Sequence, residues 1–548
     1  MDTNESVYKS QLYSRQIGTL GETCMKQLST CKVLLLQLDT TGFEIAKCLV
    51  LTGIQQIYLY DPRIPTSADI GLNIALQKNS KESIAQQSKN YLDELNPFVT
   101  ISVVSEYTSI LDNRIIDVCI QTNLENSLQL SSFCHNHNIV YIFGYQYDLL
   151  GYIFNDFGSH TIHNSNGEKP LSAYVKTISK KKTILKIELE GQDMECSHIQ
   201  FIIPPIEKIF SIQKDPIKNN TFYIEYDEHT EPIQLSTMPN ILIQEYKTIS
   251  MIQHKSLQSY IDHRTYIPDG IGHTSSLYTP NECVELFHTH ICEQSNSVVQ
   301  LSNSPTKEPM CLPINSIHTD NKFPIIGSII GSIIAQEVIK TTGMYTPINQ
   351  QYVIDYSDIR SHTPLSISKT YSLDDPYYHI RTILPEYVLE TLRNLRVFLV
   401  GCGALGCEYL KYFHQLHMSS HSNSSITVTD MDHIELSNLN RQFLFKENNI
   451  GQSKSHTATQ SIQKIHAHTD SDMYIKALDK ELSERSNEYF NYTFWESNDI
   501  IVNALDNITT RQFVDEKCVL YSKPLFESGT LGTKCNVQVI IPHTTITC

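Results

Sequence analysis

Three glycines, Gly401, Gly403 and Gly406, have a spacing that could do chemistry. They lie in RVFLVGCGALGCE, directly after an apolar run typical of a buried strand and at the start of a stretch that predicts a helix. Here Gly401 permits a tight turn, Gly403 lets a phosphate approach the backbone, and Gly406 allows close helix packing. Because a helix N-terminus offers free N–H groups, the motif predicts a site for nucleotide phosphates.

Polar side chains beyond the glycines narrow the choice of nucleotide. Asp430 ends the next predicted strand, where a carboxylate typically accepts hydrogen bonds from ribose hydroxyls. Up to this residue the pattern fits a NAD-dependent oxidoreductase as well as an ATP-using enzyme. Arg441 and Lys454 follow in SNLNRQFLF and GQSKS. Displacement at a phosphate needs such cations, whereas hydride transfer does not, so the pair favours ATP.

A carboxylate further along the chain could bind a metal ion. IVNALDN places Asp506 at the C-terminal end of an apolar strand, a usual position for ligand-binding carboxylates in parallel sheets. A hard oxygen ligand there can hold Mg²⁺ against phosphates, and Asp432 is a second candidate ligand. Taken singly, Arg441 or Lys454 is more often a solvated surface charge. Together with Asp506 they predict a phosphate site.

The pattern occurs twice. CKVLLLQLDTTGFEIAK near the N-terminus repeats VFLVGCGALGCEYLK, with Gly42 in the place of Gly406. Asp39 takes the place of Gly403, so a carboxylate would stand where a phosphate must approach, and Leu124 takes the place of the metal-binding aspartate. We therefore predict an α/β fold with two pseudo-repeated doubly wound, Rossmann-like modules, the first a scaffold that binds no ATP. A degenerate first site that binds another ligand is the alternative.

Changes in the sequence pattern along the chain predict the remaining domain organisation. Short alternating strands between the copies indicate an inserted small β domain, which a polar, weakly helical stretch follows. The predicted segments are the first module (1–171), the β domain (172–250), the helical segment (251–320), a return to the first module (321–357), a linker (358–376) and the second module (377–548).

Composition limits the classes of partner. The formal charge of −17 over 548 residues argues against nucleic acid or an anionic membrane surface as main partner and is compatible with a basic protein. Fourteen scattered cysteines without a dense framework suit a reducing compartment. The most apolar stretch, 323–339, reaches Gln336 and Glu337 too soon to span a bilayer, which favours a buried core helix.

Motif by motif, the second copy resembles the active adenylation domain of ubiquitin-activating enzymes, which are ThiF-like adenylation proteins. The resemblance lies in RVFLVGCGALGCE, VTDMDHIELSNLNRQFLF, GQSKS, VNALDN and KPLFESGTLGTKCNVQVIIP. LYSRQIGTLGETCMKQL, NDFG and NSNGEKPLSAYV resemble the inactive half of these enzymes. By position, 172–250 then matches their first catalytic-cysteine half-domain and 251–320 their four-helix segment.

This resemblance implies a function and assigns residues. The family adenylates the C-terminal carboxylate of ubiquitin with ATP and Mg²⁺, captures it as a thioester on cysteine, and passes it to a ubiquitin-conjugating enzyme, so we expect a cytoplasmic and nuclear protein. Arg15 of the inactive half would reach the ATP site. The other implied nucleotide- and metal-binding residues are Gly401, Gly403, Ala404, Gly406, Asp430, Asn438, Arg441, Gln442, Lys454, Asp506 and Asn507.

The sequence also departs from the family. Cys535 replaces a glycine of the usual TKGNVQV, and the sequence stops at IPHTTITC, before the region that carries the catalytic cysteine in relatives. A catalytic thiolate needs a lowered pKa, which the neighbouring C-terminal carboxylate does not give Cys548. It also lacks the flanking proline and the basic and aromatic residues of the family, so we do not expect it to be the nucleophile. We expect a fragment or truncated gene model. Alternatives are a half-enzyme completed by a separate chain, or a pseudoenzyme scaffold that binds ubiquitin or a close relative.

Overall fold

The computed structural model describes residues 3–181, 184–190, 196, 198–201, 209–214, 220–225, 242–262, 270–271, 279–294, 321–360, 371–469 and 471–545. Several predictions therefore fall outside the described residues. They concern Cys548, residues 361–370 of the linker, and residues 263–269, 272–278 and 295–320 of the predicted helical segment.

The strands fall into three groups along the chain. Before the inserted unit they are β1 Lys32–Leu36, β2 Gln56–Tyr60, β3 Thr100–Val103, β4 Val118–Gln121, β5 Val140–Tyr147 and β6 Leu150–Asp156. Those of the inserted unit are β7 Ser159–Ile162, β8 Ser172–Lys181, β9 Ile184–Leu189, β10 His198–Phe201, β11 Ile209–Ser211, β12 Gln213–Lys214, β13 Thr221–Glu225, β14 Leu242–Glu245 and β15 Ser250–Gln253. After it come β16 Gly270–Ile271, β17 Gln351–Asp355, β18 Arg396–Val400, β19 Ser425–Thr429, β20 Ile475–Leu478, β21 Ile500–Asn503, β22 Leu525–Leu531 and β23 Lys534–Ile540.

The α-helices lie on both sides of the inserted unit. Those before it are α1 Thr3–Leu12, α2 Ser14–Leu20, α3 Glu22–Leu28, α4 Thr40–Thr52, α5 Ser67–Ile70, α6 Ile84–Asp93, α7 Thr108–Asp112 and α8 Ser127–Asn136. Those after it are α9 Leu257–Asp262, α10 Pro280–Gln294, α11 Pro324–Lys340, α12 Tyr378–Ile383, α13 Glu386–Asn394, α14 Ala404–Gln415, α15 Lys454–His466, α16 Tyr492–Glu496 and α17 Ile508–Leu520.

The chain folds into two compact units. The larger comprises 1–158, 254–342 and 348–548, and the smaller comprises 159–253 and 343–347. Within the described residues, the smaller unit has a seven-stranded sheet in the order β11-β10-β14-β8-β9-β13-β12 and a two-stranded pair of β15 and β7. This unit is wider than the predicted range 172–250 because β7 pairs with β15 and because His163 N donates to Gly343 O at 2.8 Å.

The larger unit contains two α/β modules of the same design. The described part of the first module has the strand order β16-β17-β6-β5-β4-β1-β2-β3, and that of the second has β20-β19-β18-β21-β22-β23. In both, an antiparallel hairpin, β5–β6 or β22–β23, follows the central parallel strands, and in the first module β17 and β16 extend the sheet beyond β6. The fold is therefore α/β with two pseudo-repeated, Rossmann-like modules, as the sequence predicted.

Strand register supports the alignment of the two copies. Val33 pairs with Val118 in the first module, and Val397 pairs with Ile500 in the second. Six residues after these pairs, Asp39 of the first module is equivalent to Gly403 of the second, and Leu124 is equivalent to Asp506. This agrees with the alignment of the sequences.

Helix α11 is buried in the first module, because its small residues let it approach α4 closely. A Cβ added at Gly331 would lie 2.8 Å from Cβ of Glu44, so only glycine fits there. Within the described residues, the structure contains no helix with the length and apolar character needed to cross a membrane.

Candidate functional site

The glycine loop joins β18 to α14 at the carboxyl edge of the second sheet. Gly401 has a φ of +96°, and a Cβ there would lie 2.5 Å from the carbonyl oxygen of Ala504. A Cβ at Gly406 would lie 2.5 Å from the carbonyl oxygen of Gly401. Around Gly403, in contrast, a Cβ would meet only Nε2 of Gln442, at 3.7 Å. The first and third glycines therefore shape the turn, while the second leaves its backbone open to a ligand.

The N-terminus of α14, which begins at Ala404, has free hydrogen-bond donors. Gly403 is the N-cap, and no side-chain hydrogen bond caps the helix among the residues that the structure describes. In the first module Asp39 holds the equivalent position, and its Oδ1 accepts from Gly42 N at 3.1 Å. The second module thus keeps N–H groups free for an anion where the first satisfies one with its own carboxylate.

Asp430 anchors this loop from the next strand. Its Oδ2 accepts from Cys402 N at 2.6 Å and its Oδ1 accepts from Asp432 N at 2.8 Å. Burial raises the pKa of Asp430, and these two backbone donors oppose that shift. The carboxylate is thereby fixed beside the glycine loop, where the sequence predicted a ribose ligand.

Lys454 lies at the first position of α15. Its Nζ is 2.8 Å from Oδ2 of Asp432, and its backbone N donates to the carbonyl oxygen of Asp432 at 3.0 Å. The side chain of Lys454 is 11% exposed, whereas that of Asp432 is 59% exposed. The lysine is thus held at the carboxyl edge of the sheet by a carboxylate that faces solvent.

Two guanidinium groups at this edge are near enough for their charges to interact. Burial, and then the positive charge of Arg15, lower the pKa of Arg441. Nη1 of Arg441 donates to the carbonyl oxygen of Ser437 at 2.5 Å. Neither arginine forms an ion pair with any residue that the structure describes. A polyanion between them would relieve their mutual repulsion.

Two amides from the same segment differ in their bonding. Oδ1 of Asn438 accepts from Glu435 N at 3.0 Å, so this side chain shapes the turn. Gln442 is buried, and its Oε1 has no hydrogen-bond partner among the described residues. Because Nε2 of Gln442 borders the open space where a Cβ at Gly403 would stand, this amide is available to a ligand in that space.

Asp506 and Asn507 follow β21 on the neighbouring loop. Oδ1 of Asn507 accepts from Thr510 N at 2.8 Å and caps α17. Asp506 is exposed, with no hydrogen bond or ion pair to the described part of the chain. The described residues of the chain form no cluster of three or more His, Cys, Asp or Glu side chains that could hold a metal ion. The donors fit Mg²⁺, which uses one or two carboxylates and takes further oxygens from water and phosphates.

At the equivalent edge of the first module, the charged and polar groups already have partners among the protein's own side chains and backbone. Asp61, which matches Asp430, accepts from Leu38 N at 3.0 Å and is bound by Arg63 through two hydrogen bonds of 2.9 and 2.6 Å. The buried ammonium of Lys322 lies 3.5 Å from Oδ2 of Asp39. These partners occupy the groups that a nucleotide would need, which favours the scaffold prediction for this module.

Sequence reasoning missed Arg511, on the first turn of α17. Its guanidinium binds the loop that carries Asp506 and the adjacent strand β22. A lone arginine five positions after an aspartate carries no recognisable signal, so only the structure could identify this contact.

Comparison with known proteins identifies the family. A family model described as the ThiF family matches residues 13–370 and 378–548. The chain belongs to the ThiF family. It is 31% identical over 580 residues to Ubiquitin-activating enzyme E1 1 of Candida albicans (strain WO-1), covering 97% of this chain and 55% of the relative.

Other relatives of this ThiF-family chain are similar to the same extent. Ubiquitin-activating enzyme E1 1 of Schizosaccharomyces pombe (strain 972 / ATCC 24843) is 30% identical, with 99% of this chain and 56% of the relative covered. Ubiquitin-like modifier-activating enzyme 1 of Homo sapiens is 29% identical, with coverages of 97% and 53%. The chain thus spans about half the length of the curated relatives it matches.

Proposed function

We propose that this ThiF-family chain carries the ATP-dependent adenylation site of a ubiquitin-activating enzyme. One observation carries the proposal. At the second module, the glycine backbone and the helix N-terminus are free for a polyphosphate, and so are two arginines that have no ion pair among the described residues. The first module neutralises the same positions with its own side chains. The names of the relatives, ubiquitin-activating enzyme and ubiquitin-like modifier-activating enzyme, support ubiquitin or a close relative as the protein substrate.

In the proposed reaction, a carboxylate oxygen at the C-terminus of ubiquitin attacks the α-phosphorus of ATP. The bond between the α-phosphorus and the bridging oxygen breaks, and pyrophosphate leaves with that electron pair, so no proton transfer is needed. Arg15, Arg441 and Lys454 would stabilise the negative charge on the phosphate oxygens, which is the main task in phosphoryl chemistry. Asp430 would orient the ribose.

Asp506 is the proposed Mg²⁺ ligand, with Asp432 as a second candidate. The ion would neutralise phosphate charge when bound. Asp506 is free to do so, whereas Asp432 would first have to share or release Lys454. Formation of the thioester and transfer to a ubiquitin-conjugating enzyme are the expected later steps of the whole reaction.

The test is ubiquitin-dependent exchange of radiolabelled pyrophosphate into ATP. We expect exchange by the chain, or by the same chain joined to the rest of a longer enzyme, and its loss in Asp506→Ala and Arg441→Gln with unchanged thermal unfolding. Asp499→Ala, at the opposite edge of the same sheet, is the matched control and should retain exchange. ATP binding without exchange in any form of the enzyme would favour a pseudoenzyme scaffold. Nicotinamide binding would revive the oxidoreductase.

A further inference from the structure

The loop between β21 and α17, which carries Asp506, is tied down by one side chain. Nη2 of Arg511 donates to the carbonyl oxygen of Leu505, the residue immediately before Asp506, and to the carbonyl oxygen of Ser528 at 2.9 Å. Nη1 of Arg511 lies 2.7 Å from Oε1 of Glu527. The guanidinium thus joins this loop to strand β22 through two nitrogens at once.

The surroundings of Arg511 suit a planar guanidinium. Glu527 is buried, and its second oxygen accepts from Nδ2 of Asn503 at 2.6 Å, so its orientation is fixed. A Cβ added at Gly529 would lie 2.5 Å from Nη1 and 2.6 Å from Nη2 of Arg511, so the glycine leaves the room that the end of the guanidinium occupies. A lysine could keep the charge but not both branches of this contact.

The same loop also supports the glycine turn. Ala504 N donates to the carbonyl oxygen of Val400 at 2.8 Å, and the carbonyl oxygen of Ala504 closes the space beside Gly401. The glycine turn therefore has its own contact with the first residue of the loop. Arg511 acts on the far part, next to Asp506, and none of its hydrogen bonds or ion pairs with the described residues involves Gly403 or its neighbours.

We propose that Arg511 is a positioning residue that fixes Asp506 for Mg²⁺ and so sets the Mg²⁺-dependent part of ATP affinity. This inference rests on the proposed function. Arg511 makes no contact with substrate in this role. It acts by holding the backbone on which Asp506 stands, and Glu527 acts by holding Arg511.

The experiment measures binding of the fluorescent analogue mant-ATP by the full chain, once with MgCl₂ and once with EDTA. Arg511→Lys should weaken binding about 10-fold or more in MgCl₂, as loss of an outer partner of a metal ligand does, and leave binding in EDTA unchanged. Glu527→Gln should show the same selective loss in milder form. Arg396→Lys is the control, because Arg396 also binds a carboxylate, that of Asp499, but does so at the other edge of the sheet.

The possible outcomes distinguish failure of the positioning role of Arg511 from failure of the proposed function. Unchanged Mg²⁺ dependence in Arg511→Lys, or equal loss in MgCl₂ and EDTA, would overturn the positioning role while leaving the proposed function intact. Should Arg511→Lys fail to fold, Glu527→Gln decides by the same criterion. A wild-type chain that binds no mant-ATP in either buffer would overturn the proposed function and this inference together.

Discussion

Removing one charge from the boundary between the two modules should destabilise the larger unit. Glu44 and Lys47 on α4 face Glu408 and Lys411 on α14, and these residues form an ion network in which Glu408 is partly exposed and the other three are buried. Lys411 Nζ is 2.7 Å from Glu44 Oε2 and from Glu408 Oε2, and Lys47 Nζ is 2.8 Å from Glu44 Oε1 and 2.5 Å from Glu408 Oε1. The two acids and two bases balance, so Glu44→Gln would leave two buried ammonium groups with one carboxylate.

The size of this effect follows from the pKa of Glu44. Burial alone would raise it, but Lys411 and Lys47 outweigh burial and lower the pKa from 4.5 to about 2. At about 1.4 kcal/mol per pKa unit, ionisation of Glu44 contributes about 3 kcal/mol. Loss of one partner from a buried ion pair costs about 3–5 kcal/mol, which agrees. Because the folded pKa is lowered, this contribution is present above about pH 4.5 and is lost as the pH falls toward 2.

The assay is urea unfolding at pH 7, followed by fluorescence of Trp495, the single tryptophan of the chain, which is buried in the second module. We expect Glu44→Gln to lower the free energy of unfolding by about 3 kcal/mol. Glu390→Gln is the matched control, because Glu390 is exposed and lies 3.3 Å from Arg393, where an ion pair contributes about 0–1 kcal/mol. A loss for Glu44→Gln no larger than that of the control would refute the reasoning.

Three further predictions concern single positions. Gly403→Ala should weaken ATP binding without changing the melting temperature, whereas Gly401→Ala should lower both ATP affinity and melting temperature. The reason is that, of the two, Gly401 has a positive φ and a carbonyl oxygen where the added Cβ would stand. Equal melting temperatures for the two variants would contradict this. Burial, followed by the charges of Arg393 and Arg381, lowers the pKa of His417 from 6.5 to about 3. Stability should therefore fall by on the order of 5 kcal/mol as the pH drops through that interval. His417→Gln should flatten the dependence of stability on pH, measured by thermal unfolding at each pH. Asp39→Gly should destabilise the first module without creating a second ATP site, and calorimetry that counted two sites would refute the scaffold role.

Much of the fold was predictable because its signals are local. Continuous apolar runs marked the parallel strands, and the glycine spacing marked the turn between β18 and α14. The repeat was visible because both copies keep the same strand and helix pattern. Asp430 and Asp506 were found because ligand-binding carboxylates of parallel sheets follow the ends of strands. Their roles toward ATP and Mg²⁺ stay predictions.

Other features depend on residues far apart in the chain. Lys322 meets Asp39, and Arg511 meets Glu527, only after separate elements pack against each other. The sequence by itself determined which residue types stand at each strand end, because backbone conformation and strand periodicity act over a few residues. The tertiary structure alone decided which charges are paired and which stay free for a ligand, because pairing depends on the distances and burial that packing creates.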